Sequence, residues 1–298
     1  MNAGGPPSFP SQRRESAMHP AYAKINLGLR ILDRRADGFH AIETLFHRIA
    51  LHDELDLERA DRIDVTSSTP DAPNGKENLC YEAARLLQER LGVTNGARIH
   101  IRKAIPVGAG LGGGSADAAL VLRELPRLWD LNVTDEVLKD LALRLGSDVP
   151  YFLGTGSALA RGRGEELSYT RLAIPYTILL CHPKIHVSTA WAYSRVSVSG
   201  RREGPDLLVL VRQGLKNPHL LQHTILNDFE PAVFAAHPEI KQVKEAMLTA
   251  GAVYASMSGS GSSVFGFFQT EGEAAALAAT FQRQQYTTSI TPPGFIPA

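Results

Sequence analysis

Cysteine is scarce: Cys80 and Cys181 are the only two in 298 residues, and they do not form a CxxC pair. Two thiols cannot build a disulfide framework, so a reducing compartment is expected, with the cytoplasm as the location. A charge surplus is also lacking. The 31 basic residues balance 31 acidic ones, which argues against nucleic acid as a partner, since a phosphate backbone rewards a basic excess. No apolar run approaches the roughly 18 residues that a membrane-spanning helix needs, so no membrane partner is expected. Residues 1–18 lack the apolar stretch of a secretory signal and are rich in Gly, Pro and Ser; they read as a disordered leader.

What is present is an ordinary globular composition, 44% hydrophobic and 21% charged, in a chain long enough for two domains. The first is placed over 19–168 and the second over 169–298. In the first, strands are expected at Ala23–Leu32, Phe46–Leu57 and Ala97–Lys103. Helices are expected at 76–91, at Ala116–Trp129 and from Thr134 to Gly146, and a strand pair at 151–167 breaks at Gly162 and Gly164. In the second, a strand at 176–181, helices within 189–236 and at 238–250, strands at 252–257 and 263–268, a helix at 271–284 and a last strand near 286–291 give a βαββαβ order with extra helices after the first strand.

One segment is hard to explain by packing. Pro106-Val107-Gly108-Ala109-Gly110-Leu111-Gly112-Gly113-Gly114-Ser115 lies between a strand and a helix, where backbone N–H groups and the positive end of a helix dipole converge on an anion. No lysine follows the glycines, which excludes a Walker loop, and no second strand ending in an acid follows the helix, which weakens a dinucleotide fold. Ser115 and Asp117 offer a hydroxyl and a carboxylate to phosphate or Mg²⁺. A second cluster, Ser256 to Ser263, reads on its own as a hairpin connection.

Catalytic groups are less legible. Lys24 stands in an apolar strand segment, where a lone lysine ordinarily reaches solvent. Asp148 follows Gly146-Ser147, so its local reading is a helix N-cap. Phosphoryl transfer to an alcohol needs positioned phosphates, charge neutralisation and a carboxylate near the hydroxyl; this lysine and aspartate, brought together beside the loop, would supply the last two. The His182/His186 and His219/His223 pairs have i, i+4 spacing but lack the glutamate of an HExxH site, so zinc chemistry is not expected.

The run at 106–119, Pro-x-Gly-Ala-Gly-Leu-Gly-Gly-Gly-Ser-Ala-Asp-Ala-Ala, resembles the phosphate loop of the GHMP kinases. Ala23-Lys24-Ile25-Asn26-Leu27, Arg35-Ala36-Asp37-Gly38-Phe39-His40, Gly146-Ser147-Asp148-Val149-Pro150-Tyr151-Phe152 and Asn227-Asp228-Phe229-Glu230 resemble the branch whose acceptor is a cytidyl diphosphate of methylerythritol, over about residues 19–270. The resemblance implies an α+β fold of two domains, an S5-like domain followed by a ferredoxin-like one. It also implies ATP with Mg²⁺ as cofactor, a small cytidyl diphosphate substrate and a monomer or homodimer. Residue by residue, Asp148 would take the proton of the acceptor hydroxyl, and Lys24 would hold Asp148 charged and stabilise the alkoxide. Pro106, Gly108, Ala109, Gly110, Leu111, Gly112, Gly113, Gly114 and Ser115 would wrap the phosphates, with Asp117 at the helix start and Asn78 and Lys103 bordering the nucleotide. Asn26, Phe39 and His40 would line the cytidine side, His40 reading the base edge, Phe39 stacking on the ring and Tyr193 covering its other face. Two departures stand out: Phe39 where tyrosine is more usual, and Tyr22 where proline is expected beside the lysine. The competing readings are another GHMP kinase without a cytidine pocket and a catalytically silent nucleotide- or RNA-binding module.

Overall fold

The computed structural model describes residues 18–196 and 204–297; apart from Met18, the expected leader lies outside the described residues. The first sheet is built on two long antiparallel strands, β1 (His19–Arg34) and β2 (His40–Ala60), joined by the Asp37-Gly38 turn, where Gly38 takes φ +84°. β3 (Asp64–Ser67), β4 (Gly96–Arg102), β5 (Ser157–Arg161) and β6 (Glu166–Thr170) complete it in the order β3-β4-β2-β5-β6, with β1 on β2. β3 was not expected. Its four residues carry no alternation that stands out, and it forms by parallel pairing to β4.

Helix α1 (Leu79–Leu91) starts where the Asn78 side chain accepts from the Cys80 amide, and it ends at Gly92 in the left-handed region. Its buried face, Cys80, Ala83, Ala84, Leu86 and Leu87, packs with α2 (Gly113–Leu128) and the sheet. α2 starts inside the glycine run rather than at the expected Ala116. α3 (Asp135–Leu145) follows Thr134 and stops at Gly146, as the sequence predicts. The expected strand from Tyr151 is instead α4 (Val149–Leu153), in which Pro150 sits in the first turn, favouring a helix start over a strand. The pair after it is real but shorter, β5 and β6.

The second sheet has β7 (Thr177–His182), β8 (Tyr254–Met257), β9 (Val264–Phe268) and β10 (Thr287–Thr291) in the antiparallel order β10-β7-β9-β8, which is ferredoxin-like. Helices α5 (Thr189–Arg195), α6 (Leu207–Lys216), α7 (Pro218–Thr224), α8 (Glu230–Ala236) and α9 (Pro238–Thr249) fall between β7 and β8, and α10 (Glu271–Arg283) lies between β9 and β10. One apolar cluster crosses from sheet to sheet: Ile25, Leu27 and Leu45 of the first pack with Ile178, Leu180, Phe265 and Phe267 of the second. This shared core fixes the face on which the two glycine clusters meet. Among the described residues no helix is long and apolar enough to cross a membrane.

Candidate functional site

The glycine run leaves β4 and turns into α2 through three glycines of positive φ, Gly108, Gly110 and Gly112. No side chain caps α2 and its first turn holds no acidic residue, so the amides of that turn face outward for an external acceptor, an arrangement that fits a polyphosphate. The second cluster is the β8–β9 connection, and it also braces the first. Ser258 Oγ donates to the Gly110 carbonyl (2.9 Å) and the Ser263 amide donates to that of Ala109 (3.3 Å). Asn227 holds this connection in turn, donating to the carbonyls of Met257 and Gly259 (both 2.8 Å), while Glu230 accepts from the Met257 amide. The loop's other side, Lys103 to Val107, faces a cavity of about 440 Å³ shared with His182, Lys184 and His186.

Lys24 is buried, against the solvent-facing expectation. Its Nζ donates to Asn26 Oδ1 (2.8 Å), lies 3.4 Å from both the Gly110 carbonyl and Asp148 Oδ2, and sits 4.8 Å from the centre of the Phe46 ring. Asp148 does occupy the N-cap position of α4, but its side chain makes no capping hydrogen bond, which leaves the carboxylate to face Lys24. Asn26 is fixed by donating to Thr44 Oγ1 (2.9 Å). It therefore stands at the lysine rather than beside Phe39 and His40. Lys24, Asn26, Gly110, Gly112 and Asp148 line one cavity of about 170 Å³ with Arg163 and Tyr193.

A second cavity, about 780 Å³, adjoins it and is lined by Arg34, Phe39, His40, Ser147, Arg163 and Tyr193 among others. Tyr193 is stacked on His40 (4.9 Å between ring centres, 15° between planes) and meets Phe229 edge-on. Phe39 is exposed and lies under the Arg163 guanidinium at 5.0 Å. Burial, with the Asp148 carboxylate nearby, pushes the Tyr193 hydroxyl up to about 12, so it stays a donor.

Beneath the loop, Lys103 Nζ is buried between two carboxylates, Asp53 Oδ2 and Asp117 Oδ2, the latter at 2.9 Å. Asp53 Oδ1 accepts from the amides of Ala104 (2.7 Å) and Ile105 (2.8 Å) and so clamps the start of the loop. Burial opposes the charge on Lys103, but Asp117 and Asp53 outweigh it and hold the amine above its ordinary value. Burial pushes the Asp117 carboxyl up to about 7, against the pull of Lys103 and with help from Asp53.

Models of known families match in both halves: the GHMP kinases N terminal domain over 78–156 and the GHMP kinases C terminal domain over 208–287. A 4-diphosphocytidyl-2-C-methyl-D-erythritol kinase of Chlorobium phaeobacteroides is 46% identical, over 92% of this chain and 94% of that one. The chain belongs to the 4-diphosphocytidyl-2-C-methyl-D-erythritol kinase family. A solved 4-(cytidine 5'-diphospho)-2C-methyl-D-erythritol kinase superposes with a TM-score of 0.78 at 36% identity, covering 94% of this chain and all of that one. The mevalonate kinase of Methanococcus jannaschii, at 12% identity and a TM-score of 0.72, shares the fold.

For a chain of the 4-diphosphocytidyl-2-C-methyl-D-erythritol kinase family, the fold gathers Lys24, Asp148, Asn26 and the glycine run at one point, with His40, Phe39 and Tyr193 alongside. Asn78 is engaged in starting α1, and Asp117 faces the interior instead of the loop's outer side. Asp53 carries no functional signal in the sequence, because an aspartate within an amphipathic strand resembles any surface carboxylate. The raised Asp117 yields a prediction with a definite sign. Its folded value lies above the ordinary 3.8, so its contribution to stability is full below that value and is lost as pH rises through about 7. Asp117→Asn cannot titrate. Circular-dichroism melts should show the variant gaining on the wild type from about pH 4 to about pH 7 and no further above about pH 8; a constant gap across that range would mean that folding does not raise the Asp117 carboxyl.

Proposed function

We propose that the chain transfers the γ-phosphoryl of ATP to the 2-hydroxyl of 4-diphosphocytidyl-2-C-methyl-D-erythritol, a step of the non-mevalonate route to isoprenoid precursors, and that it does so in the cytoplasm. The observation that carries the reading is the Lys24–Asp148 pair at 3.4 Å, set beside the glycine loop and opening onto an aromatic-lined cavity. Asp148 takes the hydroxyl proton as the acceptor oxygen bonds to the γ-phosphorus and the bond from that phosphorus to the β–γ bridging oxygen breaks, releasing ADP. Lys24, held by Asn26, stands 3.4 Å from the Asp148 carboxylate and faces the developing alkoxide. The amides of the loop and of the first turn of α2 hold the polyphosphate. Bound with ATP, Mg²⁺ would neutralise charge on the phosphate oxygens. Of the two groups considered for it, Ser115 is half-buried at the helix start, while the buried Asp117 is spent on Lys103, so Ser115 is the one that would hold it.

ADP release measured over a panel of phosphate acceptors tests the proposal: turnover is expected with the cytidyl substrate and not with homoserine or mevalonate. His40→Ala should raise KM for that substrate about tenfold, the scale of one lost hydrogen bond and ring contact, and leave KM for ATP unchanged. An effect confined to ATP would remove His40 from the cytidine side.

A further inference from the structure

The turn between β5 and β6 brings one more cation to the site, and the geometry points to Arg163 as the residue that reads the acceptor's diphosphate and makes the site selective for it. This inference rests on the cytidyl-acceptor reading above. An acceptor with a base at one end and the reacting hydroxyl at the other must lay its two phosphates between the His40–Tyr193 stack and the Lys24–Asp148 pair. Arg163 and Tyr193 are the two side chains that line both cavities, so Arg163 stands where the linker has to pass. The turn is pinned at that place. The Ile42 amide donates to the Gly162 carbonyl (2.8 Å), and a Cβ built on Gly164 would lie 3.7 Å from Asp148 Oδ1.

The guanidinium is presented in a suitable way. It is about one-third exposed, packs over Phe39 at 5.0 Å, and is steadied by a hydrogen bond from Nε to Glu165 Oε1 (3.3 Å). Among the described residues no hydrogen bond engages its Nη groups, which are the pair of donors that grips phosphate oxygens side by side. Lys24 is differently placed, since Asn26, Gly110 and Asp148 surround its ammonium. The balance of charge agrees. Arg34, Arg163 and Lys24 line the two cavities, with Asp148 the one lining carboxylate and Glu165 paired to Arg163; the positive charge that remains suits an anionic linker, which a small uncharged alcohol would lack.

Titration calorimetry of the full chain with CDP, cytidine and ATP separates this role from mere support of Phe39. Arg163→Leu should bind CDP about 10- to 100-fold more weakly, the scale of a lost charge-assisted bidentate contact. Cytidine should stay within about threefold and ATP should be unchanged, which also shows that the variant is folded. Arg163→Lys, which keeps the charge but not the fork, should fall between. Equal losses for cytidine and CDP, or no loss for either, would overturn the assignment while leaving the kinase reading intact. A wild-type protein that takes up neither cytidine nor CDP would overturn both.

Discussion

Replacing Asp148 with asparagine is expected to lower kcat by about 10²–10⁴-fold, the range that a positioned general base supplies, with the dissociation constant for ATP changed little. Asp148 occupies a helix-start position without capping it, so its carboxylate has no structural duty at the α4 terminus. Asparagine is close to it in shape but cannot accept the hydroxyl proton. Lys24 keeps its contacts to Asn26 and the Gly110 carbonyl in the variant, so the loop should persist. Single-turnover rates together with calorimetric ATP binding separate chemistry from affinity. Unchanged turnover would take Asp148 out of the reaction, and a loss of ATP binding to match the loss of rate would make it a structural residue of the loop.

Gly110→Ala should be the most damaging substitution in the loop, and Gly114→Ala serves as its counterpart. Gly110 has φ +79°, and a Cβ there would lie 2.2 Å from the backbone carbonyl oxygen of Ser258 and 3.1 Å from that of Gly261. Neither backbone group can swing aside, so the two glycine clusters would have to part. The cost is about 1–3 kcal/mol from strain and overpacking, which appears as a lower thermal midpoint, and nucleotide affinity should drop at least about tenfold, an affinity change equivalent to roughly 1.4 kcal/mol. Gly114 is helical and nothing lies within 4 Å of a Cβ built there. Alanine at that position should raise stability by about 0.5–1 kcal/mol and, if the polyphosphate runs along this turn as proposed, still weaken ATP binding, because the added methyl would stand in its space. Full ATP affinity in Gly114→Ala would show that the polyphosphate does not run along this turn.

The local features were readable before any coordinates. Glycines between a strand and a helix announce a tight turn with uncapped amides because each glycine governs its own backbone and its own steric envelope, and the apolar periodicity of 79–91 gives α1 its buried face for the same reason. The ferredoxin-like order of the second half followed from the succession of strand and helix patterns alone. Where two local signals competed, the sequence was less clear: Tyr151 and Phe152 suit a strand, but the proline before them starts α4. The four residues of β3 carry too little pattern to be seen without their partner strand.

The chemistry of the site is the part that sequence order conceals. Taken locally, Lys24 reads as a surface lysine and Asp148 as a cap; the needs of phosphoryl transfer suggest pairing them, and the resemblance to a known family gives each its role. Asp53 and Arg163 have no such help, since an aspartate within an amphipathic strand and an arginine between two glycines look like ordinary solvated charges. Their meaning comes from the register of β1 on β2, the turn from β5 to β6 and an apolar core shared by two sheets. Sequence by itself determined the loop that can hold phosphate and the order of the elements, because those properties belong to neighbouring residues. Tertiary structure decided which charges face one another, because an electrostatic interaction depends on separation in space and on exclusion of water, and both are set by segments far apart in the chain.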